Sequence, residues 1–339
     1  MNEPWSSKVE HRFAQYVRIL GKGKSGTRSL SQSEARDAFA MIMRGEVEPV
    51  QIGAFLMLLR VKEETAQELV GFVQACRDNM QRPPPALGAD LDWSSYAGKK
   101  HQHPWFVLSI LLLSQAGYRI FIHGSQGHTA GRLYTESAFH ALALPVAKDW
   151  QDVDVQLDKQ GMCYFPLKRF CRPLDELIHM RHLLGLRSPV NTLARLLNPL
   201  AAPCALQSIF HPAYGELHQE ADAILEQPRA LVFKGDSGEI EIKPQADTRL
   251  LFLDNGKKRN LSLPRSIAQR VSAVDCPDVS QLRKLWRGES ENHYGLQATL
   301  ATTAVTLSLL TPGASLESSA DRAQQLWRQR DKMRLEPCP

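Results

Sequence analysis

Leu20–Thr27 reads Leu-Gly-Lys-Gly-Lys-Ser-Gly-Thr, and its Gly23-Lys24-Ser25 core is the ending of a nucleotide-binding P-loop. Such a loop wraps consecutive phosphates with backbone N–H groups and a lysine, and it needs a glycine five residues before Gly23. That position is Arg18, and the preceding Phe13–Leu20 has the apolar spacing of an amphipathic helix, not of a buried strand. The stretch is therefore expected to be a glycine-rich linker carrying Lys22, Lys24 and Arg28. Other basic groups cluster at Lys99-Lys100-His101 with His103, at Lys168-Arg169 with Arg172, at Lys257-Lys258-Arg259, and at Arg283-Lys284 with Arg287. Lysine is a flexible point charge suited to a polyanionic backbone, so convergence of these groups would make a binding face. The histidine pairs His101/His103, His123/His128 and His179/His182 each lack a third ligand at zinc spacing. No G-x-S-x-G, H-E-x-x-H or G-x-G-x-x-G occurs.

The elements that must position these groups change character along the chain. Val9–Leu20 is expected to be helical. Leu30-Ser31-Gln32-Ser33-Glu34 is a capping box that starts a helix running to Met43. Val50–Arg60 and Thr65–Asn79 also carry apolar residues at helical spacing. Gln81-Arg82-Pro83-Pro84-Pro85 cannot continue a helix and places a boundary between a helical domain, 1–80, and a second domain, 86–339. Beyond it, strands are expected at Tyr118–His123, Gly161–Phe165, Ala205–Phe210, Ala230–Lys234 and Arg249–Leu253. Helical patterns separate several of them, as at Pro104–Ala116, Glu136–Ala143 and His218–Leu225. The fold class is thus an N-terminal helical domain plus a larger α/β domain with a central, mostly parallel sheet. The 339 residues carry a net charge of +5 and six scattered cysteines without C-x-x-C spacing, which is expected for reduced thiols in a cytoplasmic protein. No apolar run approaches the ~20 residues of a membrane span, and the N-terminus lacks a signal-peptide core.

Residues 30–75 closely resemble the N-terminal helical domain of the anthranilate phosphoribosyltransferase and pyrimidine nucleoside phosphorylase superfamily, glycosyltransferase family 3. Glu34-Ala35, Ile42-Met43-x-Gly45-Glu46, Gln51–Leu56 and Lys62-x-x-Thr65-x-x-Glu68-Leu69 carry the resemblance. Further on, His123-Gly124 looks like part of the family's K-H-G-N segment. Arg181 through Leu184-Gly185-Leu186-Arg187-Ser188, Asn191 and Asn198-Pro199 looks like its R-x-x-L-G-x-R-T-x-F-N and N-P segment. The resemblance implies a hinged helical and α/β pair, with helices from about 170–190 joining the helical domain, and a homodimer formed through that domain.

The family's catalytic pattern is broken here. Against a G-T-G-G-D diphosphate loop the chain has Tyr96-Ala97-Gly98-Lys99-Lys100, keeping Gly98 alone. Ile122-His123-Gly124-Ser125 lacks the lysine and asparagine of K-H-G-N. Gly238-Glu239-Ile240-Glu241 keeps Glu241 and has Ile240 where the family has aspartate. One carboxylate is a poor ligand set for a hard divalent cation. The chain thus resembles a divergent second anthranilate phosphoribosyltransferase-like group, which implies a non-catalytic, sequence-nonspecific binder of single-stranded DNA or RNA without a cofactor. Its expected contacts are Lys22, Lys24, Arg28, Lys99, Lys100, His101, His103 and Arg181; of the nearby aromatics, Trp93 and Tyr96 are placed for base stacking, while Trp105 and Phe106 lie on an apolar helix and are expected in the core. Gly98, His123, Gly124 and Glu241 would mark a vestigial cleft. The alternative is a glycosyl or phosphoribosyl transferase with an altered diphosphate site. In it Lys99 and Lys100 hold phosphoribosyl diphosphate, Arg181 receives an acidic acceptor and Glu241 keeps one Mg²⁺.

Overall fold

The computed structural model describes residues 9–23 and 25–335; Lys24 lies outside them. Four helices open the chain: α1 (Ala14–Gly21), α2 (Gln32–Met43), α3 (Pro49–Lys62) and α4 (Ala66–Asn79). The linker after α1 follows a helix and not a strand, as its sequence requires. Ser31 accepts from the Glu34 amide while Glu34 accepts from the Ser31 amide, so the capping box closes. Thr65 and Glu68 repeat the device at the start of α4.

The second part runs β1 (Leu91–Ser95), α5 (Phe106–Gln115), β2 (Ile120–Gly124), α6 (Thr135–Ala141), α7 (Trp150–Gln160) and β3 (Met162–Pro166). Four short helices come next: α8 (Leu167–Phe170), α9 (Arg172–His179), α10 (Arg181–Leu184) and α11 (Val190–Leu193). Then come β4 (Cys204–Ile209), α12 (Tyr214–Ile224), β5 (Arg229–Lys234), β6 (Thr248–Asp254) and β7 (Lys257–Leu263), and finally α13 (Ser280–Arg287), α14 (His293–Leu310) and α15 (Leu316–Gln329). The strands form one sheet in the order β3-β2-β1-β4-β5-β6-β7. It is parallel from β3 to β5, and β6 and β7 are added antiparallel.

β1 through β4 are buried along their whole length, as a parallel sheet covered on both faces demands. The helical domain shares one apolar core with Leu174, Leu177, Ile178, Val190 and Leu193 from the α9–α11 region, so those segments pack with α1–α4. The other face is covered by α5 and α14 around Trp93, Trp105 and Trp286. Trp93, Tyr96, Trp105 and Phe106 are each at most 2% exposed. They belong to the core, as expected of Trp105 and Phe106, and the base stacking expected of Trp93 and Tyr96 is corrected accordingly. Among the described residues no helix is long and apolar enough to cross a membrane.

The chain leaves β1 toward β2 and β3 on one side and later enters β4 and β5 on the other. Loops at the carboxyl ends of β1 and β4 therefore diverge and open a crevice, the usual ligand position in an α/β sheet.

Candidate functional site

The β1 strand delivers Ser95 to the crevice, and the loop after it turns at Gly98, whose φ of +68° suits glycine. The Ala97 and Gly98 amides both donate to Glu239 Oε1, at 2.5 and 2.8 Å, and Ser95 Oγ donates to Glu239 Oε2 at 2.7 Å. Next to this carboxylate, Lys99 is fully buried. Its Nζ donates to Asp236 and, at 2.5 Å, to Glu241 Oε1, while Glu241 Oε2 accepts from the Phe106 amide at the start of α5. Burial works against the Lys99 charge, but the two carboxylates outweigh it and hold its pKa above the ordinary lysine value. The same ammonium keeps Asp236 ionised, lowering its pKa against burial.

These contacts revise several expectations. Lys99 is internal and cannot meet a polymer's phosphates. His103 is also buried, with Nδ1 accepting from the Asp278 amide at 2.8 Å. Arg28 is held by Glu34 in a bidentate pair at 2.7 Å. Lys22, Lys100 and His101 are exposed. Glu241 is engaged by Lys99 and is not free to keep a metal. His123 is buried between Tyr96 Oη, 2.7 Å from Nδ1, and Asp92 Oδ2, 3.2 Å from Nε2. Gly124 at the end of β2 packs directly on the Ser95 carbonyl.

Motif matching missed Asp236 and Glu239. The readable signal was alternation: in extended backbone, residues 239 and 241 face one side and 240 the other. Ile240 is accordingly in the core and the two glutamates face the β1–α5 loop. The residues present nevertheless do not fit Mg²⁺. An ammonium bridges two of the three carboxylates, and the third has both oxygens committed to Ser95, Ala97 and Gly98. Among the described residues no group of three or more His, Cys, Asp or Glu side chains is placed to hold a metal ion.

Arginines supply the remaining charge. Arg132 Nη1 donates to the carbonyls of Ala97, Gly98 and Ser237 at 2.8–3.0 Å, tying the two loops together. Arg195 Nη1 donates to the Ser208 carbonyl and hydroxyl and to the Gly238 carbonyl. Arg181 donates to Thr129 Oγ1. Arg187 feels all three guanidiniums. Burial first, and then Arg132, Arg181 and Arg195, push its pKa down to about 10. Arg132 Nε and Arg187 Nε are buried without a hydrogen-bond partner. Among the described residues none of the four forms an ion pair with a carboxylate. Arg132 lines a cavity of about 580 Å³ with Gly124, Ser125, Lys168 and His179. Arg187 and Arg195 line a smaller one of about 110 Å³ beside Arg60, His211 and Tyr214. The nearby His128 is pushed down to about 4 by burial and then by Arg187, His179 and Arg181, so it is neutral near pH 7. Only Arg181 of the four arginines was among the expected site residues.

A helical bundle packed on an α/β sheet, with a crevice at the β1/β4 switch point, defines the class. Residues 15–80 match the helical bundle domain of the glycosyl transferase family, and residues 107–329 match its a/b domain. The chain belongs to this family, glycosyltransferase family 3, whose members include anthranilate phosphoribosyltransferases. It is 29% identical over 255 residues to the uncharacterized protein YbiB of Escherichia coli (strain K12), covering 74% of this chain and 78% of that one. It is likewise 29% identical over 260 residues to the anthranilate phosphoribosyltransferase of Methylocella silvestris, covering 76% and 74%. Among solved structures, the Saccharomyces cerevisiae anthranilate phosphoribosyltransferase in complex with 4-fluoroanthranilate superposes with a TM-score of 0.78. That match has 15% identity and covers 95% of this chain and 94% of the other, a likeness of fold.

Proposed function

We propose that this protein is a glycosyl or phosphoribosyl transferase with an altered diphosphate site, one that takes a phosphorylated sugar donor without a divalent cation. The observation that carries this reading is the cluster of Arg132, Arg181, Arg187 and Arg195 at the crevice, unpaired with carboxylates and partly buried. Half-buried guanidiniums that repel one another are stabilised by an anion, and arginine's planar fork matches phosphate oxygens. Positive charge fixed beside a departing phosphate also stabilises the charge that develops on it. The name of the Methylocella protein supports the reaction class. Lys99 filling the space between Asp236 and Glu241 supports independence from metal.

Sequence-independent binding of single-stranded DNA or RNA is the second reading, favoured by the exposed Lys22, Lys100 and His101. Calorimetry with phosphoribosyl diphosphate, in EDTA and in Mg²⁺, separates the two. The transferase reading expects binding of equal strength in both buffers. No binding to the donor, together with oligonucleotide binding that weakens steeply with salt, would move the assignment to the second reading.

A further inference from the structure

We infer that the β1–α5 loop is an oxyanion cradle occupied by the protein's own Glu239, with Lys99 as a built-in cation beside it. The amides of Ala97 and Gly98 are consecutive and point at one oxygen, while the Ser95 hydroxyl reaches the other. Successive N–H groups converging through a turn with positive φ form a nest, a concavity that binds carboxylate or phosphate oxygens. Here the nest already holds an anion. Glu239 reaches it from a compact turn: the Asp236 carbonyl accepts from the Glu239 amide at 3.0 Å, and Gly235 packs so closely that a Cβ would lie 1.6 Å from the Glu239 carbonyl oxygen. The cation position is equally closed, with Lys99 donating to both Asp236 and Glu241. The two charges that an oxyanion and its counter-cation would bring are thus supplied by side chains.

The cradle lies in the crevice of the proposed function but depends on Glu239, not on the arginines. Because this backbone site is filled, an incoming phosphate must meet the arginines instead. Removing the Glu239 side chain should vacate a site for an external oxyanion of phosphate or formate size.

The experiment is thermal unfolding of the full chain and of Glu239→Ala in inorganic phosphate, in formate, and in chloride of matched ionic strength. The variant is expected to melt below the wild type in chloride. Phosphate should raise its melting temperature at least about twice as much as it raises that of the wild type, as expected when a ligand binds the folded state. Glu239 also bears on Arg195, so Glu239→Gln, which removes the charge yet keeps the nest filled, is the reference for the arginines, and the excess response of Glu239→Ala over it reads the cradle. Failure of the arginine reading would instead appear as no response of the wild type. If Glu239→Ala does not fold in chloride, its recovery by phosphate or formate is the same result. If it folds in neither, Glu239→Ser, whose side chain is too short to reach the nest, is titrated with phosphate while the Ala97 and Gly98 amide resonances are followed. Movement of these resonances in that variant and not in the wild type is expected. A response of Glu239→Ala no greater than that of Glu239→Gln, or no response of either Glu239→Ala or Glu239→Ser, overturns the inference.

Discussion

Lys99 and Lys100 are adjacent lysines with opposite fates. Lys99 bridges two buried carboxylates, of which burial raises the Glu241 pKa to about 7, and Lys100 projects into solvent. Lys99→Ala leaves Asp236 and Glu241 as uncompensated buried charges and should cost about 3–5 kcal/mol of stability. Lys100→Ala should cost less than about 0.5 kcal/mol. Urea unfolding of the two variants checks the contrast, and equal costs would contradict the burial of Lys99. Nothing in a Lys-Lys dipeptide says which residue turns inward. The antiparallel pairing of Lys99 with the distant Leu133 decides it. A second residue-scale prediction concerns Asp222, which is buried on α12 and accepts from Gln207 Nε2 at 2.9 and 3.1 Å. Burial raises its pKa to about 7, above the ordinary carboxylate value. The folded chain therefore holds this proton more tightly than the unfolded chain. That contribution is complete below about pH 4, falls by at most about 1.4 kcal/mol per pH unit as pH rises, and is gone above about pH 7. Asp222→Asn should flatten the dependence of melting temperature on pH between about 5 and 7; an unchanged slope would contradict the assignment.

At the scale of elements, the turn from Gly235 to Glu239 sets the geometry of the crevice. Gly235 has an ordinary φ, so its need for glycine is purely steric, and Gly235→Ala must displace the Glu239 carbonyl. We predict a loss of at least about 2 kcal/mol in urea unfolding, as for other overpacked sites. The expected strands lie within two residues of β2 to β6, because their apolar runs are long and bounded by turn residues. β1 is not legible because Leu-Asp-Trp-Ser-Ser carries polar side chains that find partners only in the fold. One of these is Ser95, on Glu239. β7 is not legible because Lys-Lys-Arg-Asn-Leu-Ser-Leu is an exposed edge strand, charged as such edges are to prevent further pairing. The helical domain is legible because capping boxes are local chemistry. The site is less so, since Arg132, Arg195, Asp236 and Glu239 are brought together by sheet topology and share no motif.

The whole molecule joins a helical bundle to an α/β sheet through one continuous core, and it leaves one helix only partly covered. α3 is apolar around most of its circumference, yet among its residues Phe55, Leu56 and Leu59 alone are buried, while Val50 and Val61 are 69% and 85% exposed. A helix apolar on all sides is normally covered. We propose that a second copy covers it, making a homodimer through the helical domain. Val50→Lys with Val61→Lys should shift the sedimentation mass from dimer to monomer, and a wild type that is monomeric at high micromolar concentration would contradict this. The central claim is that the crevice receives a phosphate-bearing ligand on arginines while Lys99 replaces a metal. Its most direct test is calorimetric titration of wild type and Arg187→Ala with phosphoribosyl diphosphate in EDTA. The account predicts binding by the wild type, unchanged when Mg²⁺ is added, and a loss of tenfold or more in the variant, about 1.4 kcal/mol or more. Binding that requires Mg²⁺, or that is equally strong in the variant, would contradict it.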